Sequence, residues 1–189
     1  KNNMILVGGV ITEALGLQLS KLGEACGVRI CVETFPTRIR RGAGSGVLEK
    51  LPYLAEMAID FMKDVENLVL IGAKSPVSFF AYPNVPSEIQ AKNCEVLTLA
   101  QTGDDLLHCV EQLLNQVAGA TVSANCHPHQ VPELPSGALN AMSASQSIAN
   151  LLPDNAIVID EGATSSFMTY PLTANSAPHD WLTLTGGSI

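Results

Sequence analysis

Met4-Ile5-Leu6-Val7-Gly8-Gly9 puts four consecutive apolar residues directly before two glycines. A strand with one wet face alternates polar and apolar residues. A strand covered on both faces does not, and such strands belong to parallel sheets packed between helices. The residues that follow keep to that plan. Thr12 caps a helix with Leu15, Leu19, Leu22 and Cys26 on one face, and Gly27 supplies its stop. Val28-Arg29-Ile30-Cys31-Val32 reads as a second strand and residues 34–46 as a glycine-bearing loop. Leu51, Leu54, Met57 and Phe61 mark a second helix, and Leu68-Val69-Leu70-Ile71 a third strand ending at Gly72. Residues 94–99 read as a fourth strand. Thr102-Gly103-Asp104-Asp105 is then a loose capping box for a helix carrying Leu106, Val110, Leu113 and Val117. This alternation predicts an α/β fold, with a Rossmann-like, parallel, doubly wound sheet over residues 1–118.

Residues 119–137 break the rhythm. Pro128, Pro132 and Pro135 stand among Ser, Asn, His and Gln without either period, the composition of a linker. A second α/β unit is expected over residues 138–189. It has a helix from about Ala141 to Leu152 capped by Asn140 or Ser143, a buried strand Ala156-Ile157-Val158-Ile159-Asp160-Glu161, a polar turn, a helix, and a last strand over 181–185. Two strands are too few to complete such a unit, so it reads as truncated and the chain as cut from something longer. No targeting segment is expected at its start.

Composition narrows the function classes. Ten Lys and Arg against eighteen Asp and Glu give a formal charge of −8, and no basic run offsets it. Nucleic acid and anionic membrane are therefore not expected partners. With 47% apolar and 15% charged residues the chain is too apolar for disorder, yet no apolar run reaches the roughly 18 residues of a membrane span. Five cysteines at irregular positions, with no CxxC, fit a reducing, cytoplasmic compartment.

Two small-residue segments could carry chemistry. Glu161-Gly162-Ala163-Thr164-Ser165-Ser166 follows a strand, where small side chains let backbone N–H groups approach an anion and hydroxyls add donors. An ordinary capped turn explains the same residues. Thr185-Gly186-Gly187-Ser188 follows the next strand, and its glycines allow close backbone approach or simply a loop. If the two strands are parallel neighbours, both segments open on one sheet edge and a divided diphosphate site follows. Arg38, Arg40 and Arg41 form the only basic cluster, beside Gly42-Ala43-Gly44. As loop residues they could hold a carboxylate or phosphate, or merely offset local acidic charge. Gly8-Gly9 lacks the GxGxxG context of a dinucleotide loop, although Glu33 stands where an acidic partner would. Phe79, Phe80 and Tyr82 are expected to bury against another domain or subunit. Cys126-His127-Pro128-His129 fits no structural zinc spacing, and without a G-x-S-x-G elbow hydrolytic triad chemistry has no support.

Leu152-Pro153-Asp154-Asn155-Ala156-Ile157-Val158-Ile159-Asp160-Glu161-Gly162, then Thr164-Ser165, then residues 181–189, resemble the opening of the diphosphate-binding domain of thiamine-diphosphate-dependent enzymes. The branch is that of acetolactate synthase large subunits and benzoylformate decarboxylases. The earlier part resembles their central domain, including Leu70-Ile71-Gly72-Ala73 followed by the aromatic loop Phe79-Phe80-Ala81-Tyr82-Pro83. The resemblance implies thiamine diphosphate contacts at Gly162, Ala163 and Thr164 and at Gly186, Gly187, Ser188 and Ile189. Ala163 and Thr164 would meet the diphosphate, and the Gly187 backbone the aminopyrimidine. Ile189 would be the apolar prop that bends the cofactor, bringing its amino group to the thiazolium C2. The family's Mg2+ motif, Gly-Asp-Gly followed by Asn, is not in this sequence, nor is the pyrimidine-binding domain with its activating glutamate. FAD, held by some members in the central domain, has no matching contacts here and is not favoured. The resemblance thus implies a fragment of a homodimeric or homotetrameric enzyme acting on 2-oxo acids by carboligation or decarboxylation. It lacks the pyrimidine-binding domain and the rest of the diphosphate-binding domain. Alone it is expected to be inactive and to bind the cofactor weakly or not at all. The rival expectation is a noncatalytic Rossmann-like scaffold or nucleotide-binding module used in subunit assembly.

Overall fold

The fold was analysed in a computed structural model that describes residues 2–80, 83–117, 122–162 and 164–184. A five-stranded, wholly parallel sheet forms its centre. In chain order its strands are β1 (Asn3–Val7), β3 (Arg29–Val32), β5 (Glu49–Lys50), β6 (Asn67–Ile71) and β7 (Glu95–Ala100), in the spatial order β5-β3-β1-β6-β7. Because β1 lies between β3 and β6, the winding direction reverses beside it, as in doubly wound folds. Side-chain alternation divides the sheet's two faces. Ile5, Val7, Ile30 and Val32 pack with Leu15, Leu19 and Leu22 of α1 (Glu13–Cys26) and Val110 of α3 (Leu106–Val117). Met4, Leu6 and Cys31 pack on the other face with Ala58 and Met62 of α2 (Ala55–Met62). The expected parallel α/β sheet is present.

Local sequence explains the helix limits. Thr12 Oγ1 accepts a hydrogen bond from the Leu15 amide at 3.3 Å. Gly27, in the left-handed region, closes α1 through its N–H to the Gly23 carbonyl. Cys26 lies on the apolar face by phase but is exposed, one turn past the last buried leucine. α2 starts only at Ala55, after Pro52, and buries Ala55, Ala58 and Met62; Leu54 and Met57, expected on its inner face, are about half exposed. The start of α3 also differs from expectation. Asp105 occupies the capping position itself, its carboxylate accepting from the His108 amide at 3.0 Å. At α4 (Ala141–Leu151) both expected caps act together: Asn140 Oδ1 accepts from the Ser143 amide, and Ser143 Oγ accepts from the Asn140 amide.

A second sheet was only half visible in the sequence. Its order is β2 (Val10–Ile11), β4 (Arg38–Arg41), β9 (His179–Thr183) and β8 (Ile157–Asp160). β2 pairs with β4 in parallel, β4 with β9 antiparallel, and β9 with β8 in parallel. Residues 38–41 are thus a strand rather than part of a loop, and this sheet draws strands from both sides of residues 119–137. β8 is an edge strand covered on one face only: Val158 packs on the core, while Ile157 and Ile159 are 65% exposed where a strand covered on both faces was expected. The β7 edge likewise exposes Val96, Leu97 and Leu99. Ile11, Ile39 and Trp181 join the α1-side core, fusing the two sheets through one apolar cluster.

The proline-rich stretch also packs back on the fold. Gly44 N–H reaches the His127 carbonyl at 2.9 Å, Val47 N–H the Asn125 carbonyl at 2.8 Å, and Ser20 Oγ the same Asn125 carbonyl at 2.7 Å. Gly42, directly after β4, packs against Ser176 and Ala177. Its φ is +99°, and a Cβ there would lie 2.9 Å from the Ser176 carbonyl oxygen and collide with that of Ala177. Gly42→Ala is therefore expected to destabilise the fold by about 2 kcal/mol in urea denaturation, while Gly44→Ala, with open space around it, costs less.

Candidate functional site

β8 and β9 are immediate parallel neighbours, with Ile157 opposite Asp180 and Asp160 opposite Thr183. Their carboxyl ends therefore leave the same sheet edge, the edge at which parallel sheets bind ligands. The strands carry their chain ends there for different reasons. β8 stops where Asp160 turns its carboxylate back on the following residues. β9 is held by Thr183 Oγ1, which donates to the Pro36 carbonyl at 2.7 Å.

The turn after β8 is built on Asp160. Its Oδ1 accepts from the Gly162 amide at 3.1 Å and from Ser166 Oγ at 2.8 Å, and the Ser166 hydroxyl also meets the Gly162 carbonyl. A Cβ on Gly162 would strike Ser166 Cβ at 2.7 Å, so the tight closure requires glycine. Gly162, Thr164 and Ser165 are exposed. The Thr164 hydroxyl is thus free to meet a ligand's oxygen atoms, whereas the Gly162 amide is spent on Asp160. Sequence reasoning missed the role of Asp160. Its signal was a carboxylate two residues before a glycine and six before a serine. Of the other residues implied for the cofactor, Ala163, Gly186, Gly187, Ser188 and Ile189 lie outside the described residues.

The three arginines of β4 are divided by strand alternation. Arg38 and Arg40 lie on one face, where Arg38 Nη2 contacts Asp180 Oδ2 at 2.8 Å and Arg40 Nη1 lies 4.0 Å from the same oxygen. Arg40 also donates to Asn155 Oδ1 at 2.7 Å. Arg41 lies on the opposite face, buried, and donates to Thr173 Oγ1 at 3.2 Å.

At the end of β1 the glycine loop closes on the chain's own acid. Gly9 N–H donates to Glu33 Oε1 at 2.7 Å, and a Cβ on Gly8 would meet Gly72 O at 2.7 Å. Burial raises the Glu33 carboxyl above its usual range, although the Gly9 amide works against that. A carboxylate already sits where a nucleotide phosphate would approach this loop. Phe35, Tyr53, Phe79 and Phe80 form an aromatic cluster with ring centroids 5.1 to 6.0 Å apart; Tyr82 lies outside the described residues. Among the described residues no group of three His, Cys, Asp or Glu side chains could hold a metal ion, and no helix is long and apolar enough to cross a membrane.

Comparison with known proteins bears on this geometry. No protein-family profile matches the sequence. The chain is 43% identical over 187 residues to "Putative acetolactate synthase large subunit IlvX" of Mycobacterium tuberculosis. That match covers 98% of this chain but 36% of the relative, so the chain spans about a third of the relative's length. Among solved structures, the chain resembles "a putative thiamin diphosphate-dependent enzyme" from Mycobacterium smegmatis with a TM-score of 0.59 and 17% identity, over 99% of this chain and 40% of that one. It also resembles a thiamine diphosphate-dependent 4-hydroxybenzoylformate decarboxylase of Rhodococcus jostii RHA1, with a TM-score of 0.62 and 14% identity, over 96% and 37% of the respective chains. Along nearly its whole length this chain is therefore a relative of one part of an acetolactate synthase large-subunit-like protein, with the fold found in thiamine-diphosphate-dependent enzymes.

Proposed function

We propose that this chain is the central domain and the first part of the diphosphate-binding domain of a thiamine-diphosphate-dependent enzyme acting on 2-oxo acids. The reaction is an acetolactate synthase-like carboligation or a decarboxylation. The parallel pairing of β8 with β9 carries the reading, because it brings the turn after Asp160 and the carboxyl end of β9 to one sheet edge. Thr164 then supplies a hydroxyl donor to the diphosphate from one side, with Ala163 beside it. Gly186, Gly187 and Ser188 approach from the other, and Ile189 fills the apolar space under the cofactor. When bound, thiamine diphosphate supplies the thiazolium that accepts the electrons of the breaking C–C bond.

The chain's own residues bind and orient in this scheme. Asp160 holds the turn closed through Ser166 and leaves Thr164 facing outward. The family's Gly-Asp-Gly and Asn motif is not in this sequence, so the Mg2+ ligands are assigned to the rest of the diphosphate-binding domain. The activating glutamate is assigned to a pyrimidine-binding domain. In the intact protein, a homodimer or homotetramer, both complete the site.

The test is turnover by the intact protein with pyruvate and benzoylformate, with thiamine diphosphate and Mg2+ supplied. CO2 release and carboligation product are measured separately. Cofactor-dependent consumption of a 2-oxo acid is expected, and its absence with every 2-oxo acid overturns the reading. Thr164→Val is expected to weaken cofactor binding by about tenfold, the order of one lost hydrogen bond to a charged group. The 189-residue chain alone is expected to show weak or no calorimetric binding of thiamine diphosphate with Mg2+. Tight, Mg2+-dependent binding would place a complete site within this chain.

A further inference from the structure

A second site, formed by residues far apart in the chain, lies where β4, β5 and α5 (Thr169–Leu172) meet. A cavity of about 360 Å3 opens there, within the size range of small-molecule pockets, lined by Arg41, Ser45, Lys50, His127 and Tyr170 among others. Two cations approach the Tyr170 ring. Arg41 Cζ is 3.5 Å and Lys50 Nζ 3.9 Å from its centroid. Attraction to the ring face offsets part of the cost of burying them, yet two like charges on one ring repel.

The counter-charge falls short. Arg41 is only 6% exposed, but among the described residues it has no ion pair; its guanidinium donates to the neutral Thr173 hydroxyl. A buried guanidinium is ordinarily matched by a carboxylate or phosphate, since desolvation without a partner is costly. Lys50 also has no ion pair among the described residues. Its counter-charge is Asp160, which acts on it without an ion pair while Asp160 Oδ1 accepts from Gly162 and Ser166. Burial first, and the Arg41 charge second, push the Lys50 ammonium down to about 8, with Asp160 opposing only in part. Desolvation likewise lowers His127 across the cavity, despite its hydrogen bond to Asn175, and Arg41 lowers it further.

We propose that this cavity is a binding site for the phosphate group of a small molecule, with the Arg41 guanidinium as its fork and the Lys50 ammonium as its second cation. A phosphate supplies the charge partner that Arg41 lacks and that Lys50 has only in Asp160, and the planar guanidinium presents two N–H donors to two of its oxygens. The site does not depend on the thiamine diphosphate reading, because none of the described residues of the 161–166 turn lines it.

Trp181 makes the test direct. It is the only tryptophan in the sequence, and its ring centroid lies 5.2 Å from Arg41 Cζ. The full chain, without thiamine diphosphate, is titrated with inorganic phosphate at constant ionic strength and followed by tryptophan fluorescence, with acetate as the singly charged control. A saturable phosphate response at least about tenfold tighter than acetate is expected, and Lys50→Met and Arg41→Met should each weaken it by about tenfold. Lys50→Met decides the question if Arg41→Met does not fold, as judged by circular dichroism. A response that does not saturate, one that acetate reproduces, or a Lys50→Met affinity equal to the parent's overturns the assignment.

Discussion

Trp181→Ala is expected to lower the stability of this chain by about 3–5 kcal/mol in urea denaturation, the cost of deleting a fully buried indole and leaving its cavity. Trp181 is 1% exposed, stands opposite Ile39 on β4 and Val158 on β8, and meets Tyr170 edge-on with ring centroids 5.1 Å apart. It belongs to the same apolar cluster as Ile5 and Val7 of β1 and Leu15 and Leu19 of α1. The loss should therefore appear as a weaker single transition for the whole chain rather than as an early melting of residues 138–189. Trp181→Phe, which refills most of the space, should recover more than half of the loss. A cost below about 1 kcal/mol, or a separate first transition, would mean that the two sheets do not share one core.

That shared core shows where sequence pattern stops being informative. The continuous apolar run of β1, the Thr12 and Gly27 signals around α1 and the Asn140–Ser143 box are local, and each is found where chemistry puts it. The strand at residues 38–41 was hidden because three of its four residues are arginines, which lack the apolar mark of an inner strand. Alternation sends Arg38 and Arg40 to Asp180 and Arg41 into the core, and a partner carboxylate on β9 cannot be read from β4. Edge position is equally invisible. Ile157 and Ile159 carry the residues of a covered strand, and only the sheet order reveals that β8 is last in its sheet. The apolar spacing of residues 51–61 misleads because Leu51 lies ahead of α2, whose buried positions are Ala55, Ala58 and Met62.

The candidate cofactor edge was legible as two glycine- and hydroxyl-bearing segments after strands, but their adjacency is a fact of topology. The Asp160 carboxylate at the base of the first segment was present in sequence without being read as its anchor. The Arg41–Tyr170–Lys50 stack had no signal, since its members come from β4, α5 and β5 and meet only after the second sheet is assembled.

Acidification from about pH 6.5 to 4 is expected to remove about 3 kcal/mol of stability through His179 alone. His179 is fully buried. Its Nδ1 donates to the Ala177 carbonyl at 2.7 Å, which leaves Nε2 as the bare nitrogen, and that atom has no hydrogen-bond partner among the described residues. Burial is the main cause that pushes the imidazole down to about 4. The Ala177 carbonyl opposes it, Arg41 and then Arg40 add to it, and Asp180 recovers part. In the unfolded chain the ring takes up its proton near pH 6.5, while in the folded chain it does so only near pH 4. Between those values the unfolded state holds more protons, so stability is complete above the window and falls as pH drops through it, by up to about 1.4 kcal/mol per pH unit. His127, also lowered by burial, adds a loss of the same sign. Glu33, raised by burial, acts the other way, because its contribution is complete at low pH and fades as pH rises through its folded value. The His179→Asn variant offers an amide donor to Ala177 without a titrating ring. Its urea-derived stability should change with pH over this range only as far as His127 and the carboxylates dictate. If the parent and His179→Asn curves run parallel from pH 6.5 to 4, the histidine is not the group that senses acid.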